Sequence, residues 1–425
     1  MTIKRTCRVA LAALLAMTAG AASGDEMTTT FTGEQISRWR VQTVDDRPGR
    51  LSPMITADGD ELNHHRVTVA WTGDGAVWVS VAHSRNEQWD RAIDKKHLHS
   101  RWRKATRGEA VKVVSPNRGE RFAWILLRTE GDVTIERVTH TCYRGEGTLY
   151  GHRPMEYTFA GRTLPFRIML PRNYDPNRTY PLVLSVAGSG SIGTKNQKNM
   201  EKCILARHLF TQYYDREEFD CFSLVPQIPP RQFVPAPYHP AGPRGAPTRW
   251  HPDWPAVNAE GWFTQATLAL VRELVSNPKL HIDPDRVYFT GFSYGGKACW
   301  EFLKAAPDLF AGAIAGGGWA IGPAYSTPSG AAADQLAEEV ATYAHVPVLI
   351  FAGEKDRMAS SSRAIHRQIQ AADGTSRYVE IPGAGHLPSA SRGWGDPDHI
   401  RWLFRQRRRS TTLDDEATPA SRPAP

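Results

Sequence analysis

Two rhythms of apolar and polar residues divide this chain. From about Phe31 to Tyr150, apolar side chains recur at every second position in short runs: Val67, Val69 and Trp71; Val77, Val79 and Val81; Phe122 to Leu127; and Val133, Ile135 and Val138. A period of two places one set of side chains on one face of a strand, and Gly73-Asp74-Gly75 and Gly131-Asp132 punctuate the runs as turns. This pattern predicts an all-β sandwich over residues 30–150, without fixing its strand order.

From Met155 the rhythm changes. A hairpin (Glu156 to Phe159, then Leu164 to Leu170) leads to expected buried strands, mostly apolar, at Leu182 to Val186, Phe222 to Val225, Val287 to Phe289, Ala313 to Ala315, Val348 to Phe351 and Tyr378 to Ile381. Helix-length stretches alternate with them, at Met200 to Tyr213, Phe263 to Val275, Tyr294 to Ala305, Ala333 to Tyr343, Ser361 to Ala371 and Asp398 to Arg407. Short strands that are apolar on both faces and separated by helices predict a mostly parallel sheet flanked by helices, over residues 151–408. A Pro-rich insertion from Pro229 to Pro255 interrupts the rhythm and carries Phe233, Tyr238, Trp250 and Trp254.

The two ends read differently again. Lys4, Arg5 and Arg8 accompany an apolar run from Val9 to Ala22, the form of a secretory signal peptide over residues 1–21. That run is shorter than the roughly 20 residues a spanning helix needs, so no membrane anchor is expected, and a secreted or periplasmic location is. The tail over residues 409–425 is polar and Pro-containing and is expected to be disordered. Of the formal net charge of +8, three positives belong to the leader and +5 remains. The basic stretches Lys95 to Lys104 and Arg407 to Arg409 read as a solvated loop and the end of a last helix, so no nucleic-acid partner is expected. Oligomeric state is not legible.

Cys142, Cys203, Cys221 and Cys299 remain after the leader, and an oxidising compartment allows three pairings among them. Cys203 with Cys221 is the expected disulfide, since it closes a short loop between a helix and a strand. Cys299 reads as a buried thiol or a tether.

The chemistry is concentrated in Val287-Tyr288-Phe289-Thr290-Gly291-Phe292-Ser293-Tyr294-Gly295-Gly296, a strand running into a G-x-S-x-G turn and then a helix. With 35 glycines in the chain the five-residue pattern alone is weak, and the flanking strand and helix give it weight. Ser293 is the candidate nucleophile. A strand then leads to Ala352-Gly353-Glu354-Lys355-Asp356, and another to Pro382-Gly383-Ala384-Gly385-His386. This is the chain order serine, acid, histidine, in which Asp356 orients His386 and His386 takes the proton of Ser293. The expected oxyanion donors are the backbone N–H of Tyr294 and that of Ser189, in the loop Ala187-Gly188-Ser189-Gly190-Ser191.

Residues 155 to about 405 resemble the secreted esterases of the α/β-hydrolase superfamily that include feruloyl and acetylxylan esterases, polyhydroxyalkanoate depolymerases and predicted peptidases. The matching pieces are Ile282-Asp283-Pro284-Asp285-Arg286-Val287-Tyr288 ahead of the elbow, Pro307-Asp308-Leu309-Phe310 after its helix, Gly353 with Asp356, and Gly385-His386. One departure stands out: such proteins usually carry His-Gly at the oxyanion loop, where this chain has Ala187-Gly188. The resemblance implies an α/β-hydrolase fold preceded by a sandwich that is similar to the jelly-roll modules of secreted carbohydrate enzymes. It implies hydrolysis of carboxylic esters, with acyl groups on polysaccharide as the preferred substrate and no cofactor. A serine peptidase, and a non-catalytic binding protein on a hydrolase scaffold, stay open at this point. Trp250, Trp254 and Tyr238 are candidate pocket residues, because their insertion follows a strand whose end faces the catalytic loops. His97 and His99 lack a third ligand in the sequence, so no metal is expected.

Overall fold

A computed structural model describes residues 26–44, 47–56, 62–84, 87, 102–113, 121–144, 149–172, 174–213, 216–230, 257–319 and 327–408. The leader, the tail, His97 and His99, and the aromatic insertion with Phe233, Tyr238, Trp250 and Trp254 lie outside the described residues.

The alternating first part forms two antiparallel sheets. Its strands are β1 (Glu26–Thr32), β2 (Arg40–Val44), β3 (Arg47–Leu51), β4 (Leu62–Thr72), β5 (Ala76–Ser84), β6 (Arg103–Lys104), β7 (Ala110–Val113), β8 (Phe122–Glu130) and β9 (Thr134–Arg144). One sheet has the order β1-β9-β4-β7 and the other β2-β3-β8-β5-β6. A short helix, α1 (Gly33–Ser37), follows β1 and is closed at its start by a reciprocal Thr32–Gln35 capping box. Val67, Val69, Val77, Val79, Val81, Ile125, Leu127 and Val138 share one apolar core between the sheets, as the period-two pattern requires. The odd residues of β8 face this core, whereas its even residues Trp124 and Leu126 join Leu51 and Ala82 in a second cluster on the outer face.

The second part is one sheet of eight strands: β10 (Arg153–Phe159), β11 (Arg162–Met169), β12 (Tyr180–Val186), β13 (Phe222–Pro226), β14 (Ile282–Phe292), β15 (Gly312–Gly316), β16 (Val348–Gly353) and β17 (Ser376–Ile381). Their spatial order is β10-β11-β13-β12-β14-β15-β16-β17. From β13 to β17 the strands run parallel, and the β10–β11 hairpin adds an antiparallel edge. The helices are α2 (Lys198–Lys202), α3 (Ile204–Thr211), α4 (Trp262–Ser276), α5 (Tyr294–Ala305), α6 (Ala331–Tyr343), α7 (Ala359–Ala371), α8 (His386–Gly395) and α9 (Pro397–Phe404).

Successive residues of one strand enter different cores. Leu182, Leu184, Val287, Phe289, Val348 and Ile350 pack with α4, α5, α6 and α7. Their neighbours Val183, Tyr288, Leu349 and Phe351 pack with α2, α3, α8 and α9. A sheet buried on both faces explains why these strands read as mostly apolar runs. The expected architecture, a sandwich ahead of a mostly parallel, helix-flanked sheet, is the one observed.

Three local expectations are corrected. The helix expected over Met200 to Tyr213 breaks at Cys203, which takes extended backbone (φ −88°, ψ 94°) between α2 and α3. The strand expected over Val287 to Phe289 begins earlier, at Ile282, because Tyr180 pairs with Ile282 before a register shift lets Leu182 pair with Val287. Helix α8 was not expected at all, since Pro388, Gly393 and Gly395 lower its propensity. Tertiary burial of Ala390 and Trp394 holds it.

The expected Cys203–Cys221 disulfide is also corrected, for all four described cysteines are free and buried. Cys203 bonds to Ser185, near the carboxyl end of β12, whereas Cys221 precedes Phe222, which pairs with Leu182 near the other end. The two cysteines thus stand at different levels along β12, which loop length alone does not reveal. Burial pushes the Cys203 thiol up to about 11 and raises those of Cys221 and Cys299, so all three are protonated and inert at neutral pH.

Candidate active site

The chain leaves β12 for one side of the sheet (β13) and returns on the other (β14), which opens a crevice at the carboxyl ends of these two strands. Ser293 stands there, between β14 and α5. Its backbone has φ 59° and ψ −116°, a conformation an L-residue adopts only when its surroundings force it. Ser293 N–H donates to Gly316 O at 2.8 Å, tying the turn to the end of β15. The two flanking glycines are a steric requirement. A Cβ at Gly291 would lie 2.1 Å from Gly295 O, and one at Gly295 would lie 1.9 Å from Val186 O. Strand, turn and helix meet too closely there for any side chain.

Residues far apart along the chain converge on this serine. Ser293 Oγ lies 2.9 Å from His386 Nε2, and His386 Nδ1 lies 2.7 Å from Asp356 Oδ2. An ionised carboxylate only accepts, so His386 Nδ1–H donates to Asp356, and Nε2 is left to accept the Ser293 O–H. Asp356 Oδ1 accepts a second bond, from Met358 N–H at 3.0 Å, which fixes the carboxylate plane. The Asp356 side chain is 2 % exposed and that of His386 is 30 % exposed, so the acid is shielded while the imidazole reaches the crevice. The Phe292 ring packs 4.7 Å from the imidazole, centroid to centroid.

The loops that carry acid and histidine are bonded to each other. Glu354 N–H donates to Ile381 O at 3.1 Å and Lys355 N–H to Ala384 O at 2.9 Å, while Glu354 Oε2 accepts Gly383 N–H at 2.7 Å. His386 itself begins α8, where its carbonyl accepts Ser389 Oγ–H at 2.7 Å.

The loop after β12 borders the serine. A Cβ built on Gly188 would stand 3.6 Å from Ser293 Cβ, and Ser189 opens a short 3₁₀ turn, Ser189–Ser191. A buried polar network holds this loop from behind. Gln227 Nε2 donates to Ser191 O, Gly193 N–H donates to Ile228 O at 3.0 Å, and Arg167 donates to both Asn196 O and His152 O. His152 in turn bonds Tyr150 O and Ser223 Oγ at 2.7 and 2.8 Å. Burial lowers the His152 pKa to about 3, so this imidazole is a neutral structural strut.

Ser293, Asp356 and His386 are thus brought together, with Tyr294 and the Ser189 loop on either side of the serine. Trp250, Trp254 and Tyr238 lie outside the described residues; Val257 and Ala259, which follow them in the chain, are bonded to the elbow helix. Lys297 Nζ donates to Val257 O at 3.1 Å, and Glu301 Oε2 accepts Ala259 N–H at 2.9 Å, both from α5. Sequence reasoning overlooked the loop after β15. Gly316 anchors the elbow, and Trp319 packs 6.2 Å from the Tyr294 ring. A run of three glycines before a tryptophan, directly after a strand, was the available signal.

A mostly parallel sheet with this strand order, a serine elbow after β14 and acid and histidine loops after β16 and β17 defines an α/β-hydrolase fold. Residues 250–422 match a family model described as an alpha/beta hydrolase domain. No curated protein matches the chain. Solved structures similar to it include a thermostable esterase, at 19 % identity over 78 % of this chain and 90 % of that one, with a TM-score of 0.48. A ferulic acid esterase from Anaeromyces mucronatus is 17 % identical over 61 % of this chain and 93 % of that one, with a TM-score of 0.42. An acylaminoacyl peptidase from Pyrococcus horikoshii is 13 % identical over 60 % of this chain, which spans only 42 % of it, with a TM-score of 0.42. No helix among the described residues is long and apolar enough to cross a membrane.

Proposed function

We propose that this protein is a serine hydrolase that cleaves carboxylic esters through an acyl-enzyme. The observation that carries the reading is the unbroken hydrogen-bond chain from Ser293 Oγ through His386 to the buried Asp356 carboxylate. A serine hydroxyl is a weak nucleophile until a base accepts its proton as it attacks. His386 Nε2 takes that proton, Ser293 Oγ bonds to the acyl carbon, and the imidazolium formed is stabilised by Asp356. His386 then returns the proton to the departing alkoxide, releasing the alcohol. In the second half, water gives a proton to His386 and its oxygen to the acyl carbon, the Ser293–acyl bond breaks as His386 returns that proton to Ser293 Oγ, and the acid leaves.

The tetrahedral oxyanion requires fixed donors, and in this reading they are the N–H groups of Tyr294 and Ser189. Tyr294 directly follows the nucleophile as the first residue of α5, and the loop of Ser189 borders the nucleophile. Because both donors are backbone groups, Ala187 in place of a histidine leaves the hole's chemistry intact.

The leader places the enzyme outside the cytoplasm in this reading, and acyl groups on polysaccharide, feruloyl or acetyl, are its preferred substrates. The sandwich ahead of the hydrolase sheet favours a polymer-linked ester. The test is hydrolysis of short-chain chromogenic esters together with mass-spectrometric location of a fluorophosphonate adduct. The expected adduct is on Ser293, and hydrolysis disappears in Ser293→Ala. Labelling at another residue, or hydrolysis that survives the substitution, overturns the mechanism. Faster turnover of feruloylated or acetylated oligosaccharides than of aminoacyl peptides supports the substrate class, and the reverse order rejects it.

A further inference from the structure

The inward positions of the sandwich are apolar along most of their length, and at one end they are not. On β4 the inward series Trp71, Val69, Val67 continues into His65; on β9 Val138 is followed by His140 and Cys142; on β5 Val77, Val79 and Val81 are followed by His83. All four polar positions are buried, and His65, His140 and Cys142 are fully so. The strands bring them to one place. Val67 pairs with His140 across the β4–β9 ladder, and the register shifts between Asn63 and Arg66, so an irregularity re-aims His65 toward the side chains of β9. His65 Nδ1 lies 2.9 Å from His140 Nε2, their rings stack at 5.2 Å, and the ligand atoms of His65, His140 and Cys142 all lie within 4.8 Å of one another. From the opposite sheet, the His83 ring stacks on His65 at 6.0 Å.

The geometry points to a zinc-class metal site, with His65, His140 and Cys142 binding one Zn²⁺ inside the sandwich and His83 as a candidate fourth ligand. Two imidazoles and a thiolate are a donor set suited to this ion, and in a tetrahedral site such donors stand about 3.3–3.8 Å apart, a spacing these atoms reach with shifts of a few tenths of an ångström up to about one. The alternative, a plain pair of hydrogen-bonded histidines, leaves His140 Nδ1 buried without a hydrogen-bond partner among the described residues and does not explain a cysteine beside the pair. Binding balances simply. Each imidazole gives a lone pair, the Cys142 thiol releases its proton to solvent and binds as thiolate, and nothing is oxidised or reduced. With His83 as the fourth ligand, the ion would tie β4 and β9 to β5 of the opposite sheet and staple the sandwich where its apolar core ends.

The test is metal analysis and Co²⁺ titration of the full, tag-free chain. Zinc at about one equivalent per chain is expected after purification, and Co²⁺ added to chelator-treated protein should give the visible bands of a tetrahedral ion with a thiolate charge-transfer band. Cys142→Ser should remove the charge-transfer band, and His140→Ala should weaken Co²⁺ binding at least tenfold, while ester hydrolysis at low temperature persists in both. Absence of zinc and of any thiolate–cobalt band in the wild-type chain overturns the site, whether or not the variants fold. So does a charge-transfer band that survives in Cys142→Ser.

Discussion

The hydrolase sheet and the sandwich each gather histidine with other polar groups, but they do so in opposite places. In the sheet, His386, Asp356 and Ser293 stand on loops beyond the strand ends, where one imidazole face reaches the crevice. In the sandwich, His65, His140 and Cys142 stand inside the strands and face the core. Loops at a strand end can be reshaped without disturbing the sheet, and they open to substrate, which suits turnover. An inward strand position has no exit. A polar group there must be satisfied internally, which suits binding or bracing and excludes access to a large substrate.

The largest effects should break this contrast at the triad. Ser293→Ala should lower kcat by about 10⁶-fold, and Asp356→Asn by about 10⁴-fold through loss of the productive imidazole tautomer. Far-UV circular dichroism should not change in either, so retained activity with a retained fold would remove the loops' claim to catalysis.

Next in size is the elbow itself. Gly295→Ala drives a methyl to 1.9 Å from Val186 O, backbone that cannot yield. We expect destabilisation by about 3 kcal/mol or more in urea unfolding, with little soluble protein recovered. Near-wild-type stability would show that the turn is looser than described.

Acid should act on the hydrolase region through a buried neutral histidine. The folded-state pKa of His152 is lowered to about 3, below the ordinary 6.5, so below pH 6.5 the unfolded chain binds more protons than the folded one. Its contribution is therefore full above pH 6.5 and is lost as pH falls toward that lowered value. Each proton contributes a slope of up to about 1.4 kcal/mol per pH unit. Melting temperature measured from pH 7 to pH 4 should fall steadily, and His152→Gln should flatten part of that slope. A melting temperature that rises with acid would contradict the neutral assignment.

The smallest expected effect is at Gly188, where an added Cβ would meet Phe292 O at 3.4 Å, an ordinary contact, and where φ is −70°. Gly188→Ala should change stability by less than about 1 kcal/mol, since alanine adopts this backbone and restricts the unfolded chain. Its effect should fall on kcat, which steady-state kinetics with a chromogenic ester can read.

The sequence by itself determined the two architectures and the triad's addresses. Period-two alternation requires one-sided strands, unbroken apolar runs such as Val348 to Phe351 require burial on both faces, and the elbow's glycines announce a turn too tight for a side chain. These are local constraints, readable within a dozen residues. Helix α8 was invisible, because Pro388 and two glycines argue against it and only the burial of Ala390 and Trp394 outweighs them. The disulfide expectation failed for a related reason. Loop length measures closeness along the chain, whereas strand register decides closeness in space: Cys221 precedes the Phe222–Leu182 pair, while Cys203 bonds Ser185 further along β12. The grouping of His65 with His140 and Cys142, 75 residues apart in chain position for the two histidines, likewise exists only once β4 and β9 are paired. Pairing across long separations is set by the sum of many weak contacts, and no short segment carries it.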